Sequence, residues 1–396
     1  MLEGKGIAVE WARELAEGKK DLIRLETADP SFDTPPHIIE AARKALDRGH
    51  THYTDFQGLP ELREAIAEKL EAEAGVTYNP ETEILVTSGT AESIYIAIQG
   101  TINPGDEVIL TDPTYLIFEP SVMLAGGIVV RVSLIEGAGW TLDVEELRAK
   151  VGPRTKAIVI NSPNNPTGTV FSRAELEQIA EVALENELVV LFDMLFDKIV
   201  FDGEKMENVA SIPPGMKART VLLGGFSKVY SMCGFRVGWL AADAELVSRL
   251  TNTLHLYVSI CASSTAQEAA IAALQGPQDW LKEWVGSYQR RRDLLVEGLN
   301  SIDGIRCQLP KGGYFVFPDI SGIEKDAYRF AQRLTDEAGV VVTPGPDYGP
   351  HGEGHVRMVF GSASEDEIRE AVERMKRHLP FDQEPLSAVK TDRSST

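Results

Sequence analysis

The sequence predicts an α/β protein: a three-layer αβα large domain on a mostly parallel seven-stranded sheet, with a smaller α+β domain beside it. Three observations point there. Between about residues 80 and 245, seven short apolar runs alternate with longer stretches, several of which carry helical spacing. The runs are continuous and rich in β-branched residues, without in-out alternation, as expected of strands covered on both faces. After a long helical stretch around residues 289–299, strand and helix patterns restart and continue from residue 305 to 379.

Taken in order, the seven strands are expected at residues 84–87, 107–110, 128–132, 157–160, 188–192, 220–223 and 237–240. Between the fourth and fifth, Ser172 followed by Glu175 forms a capping-box signature. Leu176, Ile179, Ala180, Ala183 and Leu184 then fall on one helical stripe facing the sheet, which supports a βαβ arrangement. Further on, strands are expected at 314–317, 340–343 and 355–360, and helices at 327–337 and 365–378. The chain divides into residues 1–44, an N-terminal arm that also joins the small domain; 45–288, the large domain; and 289–379, the C-terminal small domain. Residues 380–396 are a polar tail without periodicity, read as disordered.

Of 396 residues, 39 are Lys or Arg and 60 are Asp or Glu, a formal net charge of −21. So acidic a surface repels phosphate backbones and anionic lipid, which argues against nucleic-acid and membrane-surface partners but not against a local basic pocket. No apolar run approaches a membrane span, and Cys233, Cys261 and Cys307 lack paired spacing, so a cytoplasmic protein without disulfides is expected. His351 and His355 stand four apart, but glycines between them argue against a helix, and no metal is expected.

In an open α/β sheet ligands bind beyond the carboxyl ends of the strands, so the residues directly after each run carry the information. After the first run, Ser88-Gly89-Thr90-Ala91-Glu92 opens a helix whose free N–H groups suit a phosphate, although a plain tight turn reads as well. After the fourth, Asn161-Ser162-Pro163-Asn164-Asn165-Pro166-Thr167-Gly168 has more fixed geometry than a surface loop needs. Asp193 follows the fifth run at a depth where a carboxylate either caps a helix or meets a cation. After the sixth come Gly224-Gly225-Phe226-Ser227-Lys228 and then Gly234-Phe235-Arg236-Val237-Gly238-Trp239. A lysine in that setting suits a desolvated amine able to form a Schiff base.

These motifs, in this order, resemble fold-type I pyridoxal phosphate enzymes, and specifically the class I/II aminotransferases of the aspartate and aromatic branch. The resemblance runs from about residue 25 to 378 and includes Ala28-Asp29-Pro30-Ser31-Phe32-Asp33-Thr34-Pro35. It implies pyridoxal 5'-phosphate as cofactor and transfer of an amino group from an L-amino acid to a 2-oxo acid in two half-reactions. It further implies that Lys228 forms the internal aldimine and moves the proton, while Asp193 pairs with the pyridine nitrogen. Asn165 would bond the ring's phenolic oxygen and orient substrate, and Tyr115 would stack on the ring, unless it is ordinary core packing. The Thr90 and Ala91 N–H groups and Arg236 would hold the phosphate. Tyr53 would reach the phosphate of a neighbouring subunit, hence a homodimer with shared sites. Arg357 would grip the substrate α-carboxylate, with Ala28 close by; its bland alternative is a surface ion pair.

Two positions depart from the family's usual pattern. Asp193-Met194-Leu195-Phe196 lacks the tyrosine usually found three residues after the aspartate, so Phe196 is expected to loosen the cofactor and leave the aldimine protonated to higher pH. Ala28 replaces a glycine. Some aspartate-specific relatives place a lysine where Ala91 stands, so acidic substrates are not specifically indicated. The alternatives are a same-fold enzyme performing cyclisation, elimination, decarboxylation or oxidation, or a non-catalytic relative.

Overall fold

Where each strand ends decides what the site contains. The computed structural model describes residues 8–212 and 214–380. The first part of the expected N-terminal arm, residues 1–7, and residues 381–396 of the expected tail lie outside the described residues. The strands are β1 (Ile23–Arg24), β2 (Ile84–Thr87), β3 (Glu107–Asp112), β4 (Ile128–Ile135), β5 (Thr141–Leu142), β6 (Thr155–Asn161), β7 (Val189–Asp193), β8 (Thr220–Gly225) and β9 (Gly238–Ala241). After them come β10 (Phe315–Val316), β11 (Val340–Val341), β12 (Thr343–Pro344) and β13 (Val356–Val359).

The large sheet has the order β2-β9-β8-β7-β6-β3-β4-β5. All seven expected strands are in it, and β9 runs antiparallel to both its neighbours. An eighth, β5, adds a two-residue antiparallel edge through Leu134↔Leu142 and Ile135↔Thr141. Two residues are too few to show a period, which is why it escapes a sequence reading.

The continuous apolar runs are explained by burial on both faces. Leu85, Val108, Leu110, Val159, Leu191, Val221 and Leu223 pack with Ile94 and Ile98 of the helix Thr90–Thr101. Their sequence neighbours Ile84, Val86, Ile109, Ile158, Val190, Phe192 and Leu222 face the opposite layer, which includes the helix Arg173–Glu185. That helix starts with the expected Ser172–Glu175 capping box and buries Leu176, Ile179, Ala180 and Ala183.

The later segment differs in detail. The expected strand at 340–343 is two: β11 pairs in parallel with β1, and β12 pairs antiparallel with β13. The expected helix at 327–337 is α-helical over Ala327–Arg333 and then widens to a π turn, Leu334–Ala338. The helix Asp279–Asn300 passes residue 288 without a break, and the helix Glu365–His378 begins with a second capping box, Ser364–Glu367. Among the described residues no helix is long and apolar enough to cross a membrane.

Candidate active site

The site is assembled at the carboxyl ends of the central strands, where parallel strands leave their last residues unpaired beyond the sheet. The helix Thr90–Thr101 follows β2; the Glu92 N–H donates to the Gly89 carbonyl at 3.0 Å, while the Thr90 and Ala91 N–H groups, at the first two helical positions, have no intrahelical acceptor. Gly89 precedes it with φ +91°, and a Cβ there would stand 2.6 Å from Nη2 of Arg236. Only glycine lets the arginine come so close. Arg236 itself adopts φ +53°, a left-handed conformation that a β-carbon disfavours, and it makes no ion pair among the described residues. Its Nη1 donates to the Cys233 carbonyl at 3.0 Å. Thr90 Oγ1 donates to the Gly224 carbonyl at 2.9 Å, tying the helix start to the end of β8. Thr90, Ala91 and Arg236 thus line one concave corner with surplus donors.

Asn161 and Asp193 lie side by side at the ends of β6 and β7. Burial pushes the Asp193 carboxyl up to about 7, opposed only by the Leu195 N–H, which it accepts at 3.0 Å. No cation pairs with it among the described residues. Asn161 Oδ1 accepts the Asn165 N–H at 2.7 Å, and Asn165 Oδ1 accepts from Arg357 Nη1 at 3.3 Å. Arg357 is 2% exposed, donates Nη2 to the Glu26 carbonyl at 2.7 Å, lies over the Tyr348 ring, and keeps a buried Nε without a partner. It is not in a surface ion pair.

Lys228 follows β8, and its Nζ donates to the Ala28 carbonyl at 2.6 Å, with Cys233 Sγ at 3.5 Å. Tyr314 Oη donates to the same carbonyl at 3.1 Å. Tyr115 is half-buried and packs edge-on against Phe118. Its hydroxyl is raised to about 12, first by burial and then by the nearby Asp193, with Arg357 and Arg236 opposing. Phe196 is buried edge-on against Tyr314 and Phe315.

One chain therefore brings together Lys228, Asp193, Asn165, Arg357, Ala28, Tyr115, Thr90, Ala91 and Arg236. It does not bring in Tyr53, which is 77% exposed. Sequence reasoning missed Tyr314, Tyr348, Glu26 and Cys233. Tyr314 and Glu26 meet Ala28 and Arg357 from the other end of the chain, which no local period marks. Cys233 and Tyr348 are close in sequence to Lys228 and Arg357, but neither stands in a motif that singles it out.

An amine, a buried carboxyl, a helix start beside an arginine and a second, buried arginine stand on one rim of an open sheet. A sequence model described as aminotransferase class I and II matches residues 20–375. The aromatic-amino-acid aminotransferase 2 of Thermococcus litoralis is 39% identical, over 92% of this chain and 94% of that protein. The aspartate aminotransferase of Pyrococcus abyssi is 38% identical over the same shares. The solved alanine aminotransferase of Pyrococcus furiosus superposes with a TM-score of 0.89 at 33% identity, over 94% of this chain and 96% of that one. The chain belongs to the class I and II aminotransferases, and it is an enzyme of that activity.

Proposed function

We propose that the site holds pyridoxal 5'-phosphate and that the chain passes the amino group of an L-amino acid to a 2-oxo acid. The buried Asp193 carboxyl, without a counter-ion beside the Lys228 loop, carries this reading. Such a group needs a positive partner, and a protonated pyridine nitrogen is one. The corner between Gly89 and Arg236 fits a phosphate, since the guanidinium has one carbonyl partner and no ion pair among the described residues. Bound there, the cofactor supplies an aldehyde that condenses with amines and a ring that accepts the electron pair released at the substrate Cα.

The protein's own part is positional. Thr90 and Ala91 N–H and the Arg236 guanidinium hold the phosphate, Asn165 Nδ2 donates to the ring oxygen, and Tyr115 covers one face. Arg357 takes the substrate carboxylate, exchanging its bond to Asn165 for a bidentate one. Ala28 borders that carboxylate. Lys228 Nζ, released from the Ala28 carbonyl, takes the proton from the substrate Cα and returns it on the other side of the transfer. Tyr53 serves the site of a second copy, and with Tyr257 and Val258, both exposed, it marks the surface of a homodimer. Residues 8–44 and 289–379 act as a small domain against residues 45–288, and the unpaired cysteines suit the cytoplasm.

The test is direct. Borohydride added to the chain with pyridoxal phosphate should fix the cofactor on Lys228 in a peptide map, and Lys228→Ala should abolish this. Turnover of amino acids should require a 2-oxo acid; product formed without one would replace transfer by elimination or a related reaction. The named substrates of the relatives, aromatic amino acids, aspartate and alanine, set the first donors to try.

A further inference from the structure

Behind the anion cradle lies a buried cluster that the reaction does not use. Glu92 occupies the third position of the helix Thr90–Thr101 and is almost fully buried. One carboxylate oxygen, Oε2, accepts the Ser88 N–H at 2.5 Å. The other, Oε1, accepts from His255 Nδ1 at 2.8 Å and from Ser259 Oγ at 2.8 Å. Burial alone would raise the Glu92 carboxyl; the hydrogen bond and charge of His255, with Ser88 and Ser259, hold it below the usual range instead. His255 is 0% exposed, and its Nε2 has no partner among the described residues.

The arrangement solves a problem set by the cradle. A helix start is normally held by a side chain at the cap position, which bonds the free N–H groups of the first turn. Here the cap is Gly89, which has no side chain and must have none, because Arg236 occupies the space. The N–H groups stay available to a ligand, but the turn loses its usual restraint. Glu92 supplies that restraint from the far side, reaching back beyond the cap to Ser88, as half of a capping box does. A free glutamate has many rotamers; His255 and Ser259 select one.

We propose that Glu92, locked by His255 and Ser259, is a positioning residue that sets the Ser88–Gly89–Thr90 turn for the cofactor phosphate. The inference rests on the cofactor reading above. It separates the phosphate from the rest of the ligand: a loosened turn weakens the grip on the phosphate and leaves the ring contacts of Asp193, Asn165 and Tyr115 as they were.

The experiment compares dissociation constants of pyridoxal phosphate and of pyridoxal, which lacks the phosphate, for the cofactor-free full chain. Glu92→Ala and His255→Leu should weaken pyridoxal phosphate about tenfold and change pyridoxal by less than about twofold. Glu92→Gln, which keeps an oxygen for the Ser88 N–H, should stay within about threefold of the parent. Should His255→Leu fail to fold, Glu92→Ala and the milder Ser259→Ala, expected at about threefold, decide the matter. Equal losses for both ligands, or none for either, overturn the inference while the cofactor reading stands. A parent chain that binds no pyridoxal phosphate and leaves Lys228 unmodified after borohydride overturns the cofactor reading, and this inference with it.

Discussion

Burial of Asp193 makes the stability of the chain depend on pH. Its carboxyl titrates near 7 in the folded chain because it is buried, against about 3.8 when exposed. The folded state therefore binds the proton more tightly than the unfolded one. The stability this contributes is complete below about pH 4 and is lost as pH rises through 7. The cofactor-free chain should be less stable at pH 8 than at pH 5, and Asp193→Asn should remove that loss. Urea midpoints should show a gain of up to about 4 kcal/mol for Asp193→Asn at pH 8 that fades below pH 4. The same variant cannot pair with a cationic ring nitrogen, so transfer should fall by about two orders of magnitude or more. Phe196 gives a second prediction: Phe196→Tyr restores a hydroxyl, and the cofactor's absorption should then titrate about one pH unit lower than in the parent. An unchanged midpoint would mean that the packing of Phe196 on Tyr314 and Phe315 turns position 196 away from the ring oxygen.

The helices differ in how their N-termini are held, by a side chain at the cap or by none. Ser172 and Ser364 cap the helices Arg173–Glu185 and Glu365–His378 with complete capping boxes away from the site. Ser172→Ala should cost about 1 kcal/mol in a melting experiment and leave KM unaltered. Gly89→Ala is the opposite case. A methyl there meets Arg236 and strains a positive φ, so binding of pyridoxal phosphate should fall far more than the melting temperature does. The scaffold elements were open to a sequence reading because a capping box and an apolar stripe repeat within one helix. So were Lys228, Asp193 and Asn165, since a residue after an apolar run must lie at a strand's end. The Glu92–His255–Ser259 cluster was not, because its members belong to elements more than a hundred residues apart and nothing local distinguishes a buried glutamate from a solvated one. Nor was the split of residues 340–343 into β11 and β12, where successive residues of one apolar run pair with strands from opposite ends of the chain.

At the scale of the whole molecule, the role proposed above for the exposed Tyr53 would make the complete enzyme a dimer. Mixing Lys228→Ala chains with Tyr53→Ala chains should create hybrid dimers with one intact site. Random reassortment then returns about a quarter of the parent activity from two defective parents. Mixtures no more active than their components would show that each chain works alone. The net charge of −21 sits beside a site whose proposed ligand-holding residues, Lys228, Arg236 and Arg357, are all cationic. The pairing of Ile23–Arg24 with Val340–Val341 bears on the order of synthesis. The first strand to leave the ribosome waits for roughly 300 further residues before its partner exists. The large sheet closes earlier, when β9 at Gly238–Ala241 reaches β2, about 100 residues before β11 is made. The Gly89–Arg236 corner, Asp193 and Lys228 can therefore be in place on a nascent chain before Ala28, just beyond β1, is fixed by the pairing with β11; on the proposed cofactor reading, capture of the cofactor would precede competence for substrate.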